Sequence, residues 1–236
     1  VTDRFTPQPT NPFATSRTSP GVVPYRFAPG RRGGNPQAAN MHLETLLAAL
    51  KECRRGLIVG PHGTGKTTLV HSLLPKLQRA YPMVSFNHLS SDPSDGWFKR
   101  FIARLKHYRK IRGEMLRLPG DGLLVVDGWE QLSRYSRYRL ARSAFLRNIN
   151  LLATAHRRIT GWTVVAETST SPEMIQSLAG DLLAETPHEI KKLVADQIKS
   201  RRVSERTNVR ELWFDMYDVV AKAQTESRRD KSFGEL

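Results

Sequence analysis

Cysteine is almost absent. Cys53 is the single thiol in 236 residues, so no disulfide can form within the chain, and a reducing, cytoplasmic setting is expected. No apolar run approaches the ~18 residues of a membrane-spanning helix, and no basic-then-apolar leader opens the sequence. Apolar residues make up 39%, a little under the usual share for a compact globule, so part of the chain is expected to lie outside a packed core. Acids are also scarce. Lys and Arg number 37 against 22 Asp and Glu, a formal charge of +15, which points to an anionic partner such as nucleic acid, an acidic lipid surface or polyphosphate.

Residues 1–37 are crowded with Pro, Gly, Ser and Thr and carry neither a helical nor a strand period. They form an expected flexible arm, in which "VVPYRF" is a short sticky island whose Tyr25 or Phe27 could dock on the domain or stack on an adenine ring. After it, apolar strand-like runs alternate with helical patterns. Leu43, Leu46, Leu47 and Leu50 keep helical spacing with Asn40 as the start, "GLIV" is a buried strand, "TTLVHSLLPKLQRAY" a helix and "MVSFNHL" a strand. "GWFKRFIARLKHYRKIRGEML" is a basic helix that interleaves rings with charges, "LLVVD" a buried strand and "RYRLARSAFLRNI" an arginine-rich helix. "LLATAH" and "WTVVAET" are further strands, and the few residues between them leave either an antiparallel edge strand or an unusually tight crossover. The alternation predicts an α/β three-layer fold with a mainly parallel sheet. From Ser171 onward two helical stripes, Ile190/Leu193/Val194/Ile198 and Val209/Leu212/Trp213/Met216/Val219/Val220, predict a small helical lid. The expected organisation is an arm (1–37), a core (38–170) and a lid (171–236).

The strongest chemical signal is "GPHGTGKTT", residues 60–68, which fits G-x-x-x-x-G-K-[ST] between an apolar strand and an amphipathic helix. Gly60, Gly63 and Gly65 let the loop, with Pro61, His62 and Thr64 in it, wrap so that its backbone N–H groups converge on phosphate oxygens. The helix that follows directs its positive end to the same place. Lys66 can reach the β and γ phosphates, and Thr67 can ligate Mg²⁺, with Thr68 beside it.

These residues resemble the P-loop nucleoside triphosphatases over roughly residues 41–170. The strand lying between the cradle and "LLVVD" is typical of the ATP-using branch that includes AAA+, NACHT-type and ABC ATPases. The resemblance implies ATP and Mg²⁺ as ligands, with Asp127 holding the metal's water shell. AAA+ and ABC proteins place Glu directly after that Asp. Here Gly128 stands there, and "DGWEQL" is similar to the D-G-x-[DE]-[DE]-L ending of NACHT-type ATPases, which makes Glu130 the candidate to orient water. Thr154 stands where AAA+ proteins carry a γ-phosphate sensor, and His156 where ABC ATPases carry a histidine. No "LSGGQ"-like segment lies in residues 89–122, which ranks the ABC kind lower. "TNVREL" is similar to the G-N-x-R-E-L lid motif of several AAA+ proteins, with Arg210 as the sensor candidate and Thr207 in place of Gly. Arg134, Arg137, Arg139 and Arg142 are candidates for a finger reaching a neighbour's nucleotide in a homo-oligomer. The expected function is a slow Mg-dependent ATPase acting as a regulatory or accessory switch. The alternatives are an ATP-dependent nucleic-acid protein of the loader or transposition-helper type, a small-molecule kinase, and a non-hydrolysing ATP-binding module.

Overall fold

The computed structural model describes residues 11–26, 36–90, 96–201, 203–205 and 207–233; Phe27 lies outside them. Five strands, β1 (Arg55–Val59), β2 (Val84–His88), β3 (Leu123–Asp127), β4 (Asn150–Ala155) and β5 (Thr163–Glu167), form one sheet in the order β2-β3-β4-β1-β5. Every pairing is parallel. The helices are α1 (Thr15–Thr18), α2 (Pro36–Glu52), α3 (Lys66–Ala80), α4 (Trp97–Arg117), α5 (Arg134–Leu146), α6 (Pro172–Leu182), α7 (His188–Ser200) and α8 (Val209–Phe233).

β3 is apolar at four consecutive positions because both of its faces are covered. Leu124 and Val126 face one core with Ile111 and Met115 of α4 and Leu140 of α5. Leu123 and Val125 face the other, with Leu50 of α2 and Leu69, Val70 and Leu73 of α3. The period-two alternation of β3 thus divides its side chains between the two helical layers.

The short connection after β4 resolves in favour of the tight crossover. Residues 156–162 carry no helix, yet β5 runs parallel to β1 at the sheet edge. Seven extended residues reach about 24 Å, more than the about 17 Å of a five-residue strand. Ile159 and Trp162 lie on the core as the segment returns, and the Trp162 ring meets Trp129 edge-on at 5.1 Å. The segment therefore does the covering that a crossover helix would otherwise do.

Helices α6, α7 and α8 build a third core around Ile175, Val194, Leu212 and Met216. Two details differ from the sequence expectations. α2 begins at Pro36, so Asn40 lies inside it. Leu193 is exposed, while Val194 and Ile198 fill the interior. The core of these helices also takes Phe13, from the amino-terminal segment, at 2% exposure, 5.3 Å from the Trp213 ring. Asn11 Nδ2 donates to the Tyr217 carbonyl at 2.8 Å, and Arg26 pairs with Asp181 of α6. Residues 11–26 thus lie along the helical part and reach α3, where Tyr25 N–H donates to Ser72 Oγ at 3.0 Å. Phe13→Ala is expected to lower stability by about 3–5 kcal/mol, the usual loss for emptying a buried phenyl site; urea unfolding of the purified chain measures it.

Candidate nucleotide site

The sheet brings the carboxyl ends of all five parallel strands to one edge, where ligands of open α/β folds bind. β1 ends there in the glycine-rich loop, and α3 starts at Lys66. Gly63 and Gly65 hold φ of 70° and 87°, a left-handed backbone that costs other residues dearly. Gly60 is required for space, since an added Cβ would fall 2.5 Å from the Thr168 carbonyl oxygen. Thr64 is buried and turned inward. Its hydroxyl donates to the Pro61 carbonyl at 3.0 Å and lies 2.7 Å from Thr168 Oγ1, so it braces the loop, leaving its backbone N–H as the candidate phosphate donor.

Lys66 is 8% exposed, and its ammonium donates to the carbonyls of Gly60 (2.7 Å) and Pro61 (2.6 Å). Burial pushes its pKa down, and the negative charges of Glu130 and Asp127 oppose that shift. A desolvated cation beside two carbonyls is poised for a stronger anion. Thr67 lies in the first turn of α3 with Thr68 half-buried beside it. His62 is exposed on the loop and stacks on His156, ring centres 3.6 Å apart.

Asp127 is buried and accepts three hydrogen bonds: Thr67 Oγ1 (2.7 Å) and His88 Nδ1 (2.7 Å) on Oδ2, and Thr154 Oγ1 (2.6 Å) on Oδ1. Burial pushes its carboxyl up, but the bonds from His88, Thr154 and Thr67 and the charge on His88 outweigh it, so the net shift is downward. His88 shifts upward for the same reason, through its bond to Asp127, against burial and the positive charge of Arg210. Thr154 also accepts from Gly128 N–H at 2.8 Å. Its hydroxyl is therefore engaged with the aspartate and the turn behind it.

Gly128, the position after Asp127, accepts only glycine. Its φ is 90°, and an added Cβ would fall 2.7 Å from the Leu89 carbonyl oxygen. This sharp turn leads into a single 3-10 turn, Trp129–Gln131, with Trp129 anchored in the core. Glu130 is thereby directed back to the loop. Its Oε1 lies 2.8 Å from His156 Nε2, and its Oε2 is buried without a hydrogen-bond partner among the described residues. Gly128→Ala is expected to destabilise the fold by about 1–3 kcal/mol, the cost of a strained left-handed position, and to displace Glu130; thermal unfolding together with turnover reads both effects.

His156 joins the two parts. Its Nδ1 lies 3.1 Å from the Lys66 ammonium and 3.3 Å from the Gly60 carbonyl, while Nε2 meets Glu130. Lys66 can only donate and ionised Glu130 can only accept, so the network assigns a neutral ring with its proton on Nε2. Burial and the charge of Lys66 push the His156 pKa down, in keeping with that form, while Glu130 opposes them. Arg210 stands in the first turn of α8, exposed, with its guanidinium 5.7 Å from the Phe214 ring and close enough to depress His88. The start of α8 touches the loop itself: Val209 N–H donates to the Gly63 carbonyl at 3.3 Å, and Asn208 would clash with any Cβ on Gly63.

Sequence reasoning brought Lys66, Thr67, Asp127, Glu130, Thr154 and His156 to one place, with Arg210 at the rim. It missed His88 and Thr168. His88 carries no signal of its own in the sequence; the parallel pairing of β2 and β3 sets it opposite Asp127. Thr168 follows β5, whose position beside β1 depended on the unresolved crossover. Among the described residues no cluster of three or more His, Cys, Asp or Glu side chains could hold a metal on its own. Thr67 Oγ1 and Asp127 Oδ2 are two hard oxygens at adjoining positions, a set that fits Mg²⁺ shared with phosphate oxygens and water.

Neither a family model nor a curated protein matches the sequence. Solved structures do. AMPPCP-bound DnaA from Aquifex aeolicus superposes with a TM-score of 0.55 at 18% identity, over 88% of this chain and 67% of that one. A DNA replication initiation factor superposes with a TM-score of 0.52 at 17% identity, over 84% and 65%. This chain thus spans about two thirds of the length of the chains it resembles. The fold is that of the P-loop nucleoside triphosphatases, with a parallel five-stranded sheet covered by helices and a helical carboxyl-terminal portion.

Proposed function

We propose that this chain binds Mg-ATP and hydrolyses it slowly, as a regulatory or accessory switch. The observation that carries the reading is the line Lys66–His156–Glu130, which links the phosphate loop to the displaced carboxylate through one neutral imidazole. A chain of the same fold, the Aquifex aeolicus DnaA, holds AMPPCP.

In this reading the loop N–H groups and the amino end of α3 receive the phosphates, and Lys66 turns from the Gly60 and Pro61 carbonyls to the γ-phosphate. Thr67 and Asp127 would hold Mg²⁺, which when bound would supply neutralisation of phosphate charge. Glu130 keeps one oxygen on His156, while the other orients water and accepts its proton. Thr154 and His88 hold Asp127 in place. Arg210 approaches the γ-phosphate from α8, so that phosphate loss releases the helical lid. The contact of Asn208 and Val209 with Gly63 supports that coupling, because it joins the start of α8 directly to the loop. Phosphate release by the purified chain with Mg-ATP tests the proposal. Turnover is expected, slow in isolation. ATP binding without release would reduce the protein to a passive nucleotide module, and neither binding nor release would end the reading.

A further inference from the structure

We propose that the outward face of α4 and α5 is a binding surface for single-stranded nucleic acid. It lies on the helical layer over the first core, and the inference does not depend on nucleotide binding.

Charge is the first observation. α4 carries eight Lys and Arg and α5 carries four, against one acid, Glu114. That acid turns inward: its Oε2 accepts from Asn87 Nδ2 at 2.6 Å and also from Ser85. The field of the outer face is therefore of one sign. The second observation is exposed rings. The first two turns of α4 stand clear of the core, with Trp97, Phe98 and Phe101 exposed by 77%, 59% and 59%. Water-facing rings grouped on one helix mark a surface that meets something. On α5, Tyr135 and Tyr138 are exposed by 66% and 60%, and arginines hold them: Arg139 lies 5.7 Å from the Tyr135 ring and donates to its hydroxyl at 2.9 Å, and Arg142 donates to the Tyr138 hydroxyl at 3.3 Å.

The arrangement selects the partner. Spacings of three and four place Arg134, Tyr135, Tyr138, Arg139 and Arg142 on one side of α5. A helix that lies in a lipid surface separates its apolar side from its cations, whereas α5 interleaves them. A second copy of this chain packed about a two-fold axis would bring the same positive face against itself. Rings for stacking unpaired bases beside cations for phosphates are what a single strand uses, without reading sequence.

The test uses the full chain, without ATP, and a fluorescein-labelled oligothymidylate of about 20 nucleotides, followed by anisotropy at several salt concentrations. The wild-type chain is expected to bind, with affinity falling steeply as salt rises. The triple variant Trp97→Ala, Phe98→Ala, Phe101→Ala is expected to lose at least about tenfold with the salt slope retained, since stacking is not ionic. Arg134→Glu, Arg139→Glu, Arg142→Glu is expected to lose affinity and flatten the slope by about 2, at ~0.7 per phosphate contact. All six positions are exposed, and circular dichroism verifies their folding. Lys192→Glu with Lys199→Glu on α7 is the control, expected to change affinity less than about threefold. Absence of wild-type binding at low salt, an equal loss in the control, or tighter binding to the matching duplex would overturn the proposal. So would ring variants that keep oligonucleotide binding but lose binding to phosphatidylserine vesicles, or that alter only the oligomeric state in sedimentation.

Discussion

Lys66→Ala is expected to weaken Mg-ATP binding by at least about a hundredfold and to abolish measurable turnover. Hydrogen bonds to charged groups contribute ~1.5–3 kcal/mol each, and two such bonds to phosphate would be lost with the ammonium. The same change leaves the Gly60 and Pro61 carbonyls without the donor that satisfies them in the free protein, so stability is expected to fall by about 1–2 kcal/mol. Titration calorimetry with Mg-ATP gives the first quantity and urea unfolding the second. Lys66→Met keeps the apolar stem and so separates packing from charge. Unchanged affinity and rate in a folded variant would remove the cradle from the account.

Glu130→Gln is expected to leave ATP affinity intact and slow phosphate release by about 10²–10⁴-fold, the range contributed by a positioned general base. The substitution is conservative in shape. The amide oxygen can still accept from His156 Nε2, 2.8 Å away in the wild-type chain, so the ring and the Lys66 contact keep their places. What disappears is a carboxylate oxygen that is buried and without a partner among the described residues. Single-turnover phosphate release isolates the chemical step from product dissociation. An unaltered rate would return Glu130 to the status of an acid favourable at the start of a helical turn.

The site was legible where chemistry demands a local sequence. "GPHGTGKTT" is continuous because adjacent backbone N–H groups must converge, and the glycines at φ of 70° and 87° are those the wrap requires. Asp127 was legible because a polar residue ending a fully apolar strand stands out. His88 was not, since its role depends on the neighbour it meets across two parallel strands, and a histidine at a strand end has no signature of its own. Thr154 was legible as a polar strand end, but only the fold engages its hydroxyl with both Asp127 and Gly128 N–H. Phe13 was unreadable for the opposite reason: a phenylalanine in a segment without period gains meaning only from the Trp213 ring more than half the chain away.

The sequence by itself determined the parts list: buried strands from unbroken apolar runs, helices from spacings of three and four, the glycine-rich loop before α3, and the strand-end Asp127. Those are short-range properties, written in neighbouring residues. Only the tertiary structure decided that the crossover after β4 is tight and parallel, that α8 touches the loop at Gly63, and that His156 stands between Lys66 and Glu130. Each of those is a contact between segments distant in the chain, set by how the sheet orders its strands and which faces its helices cover.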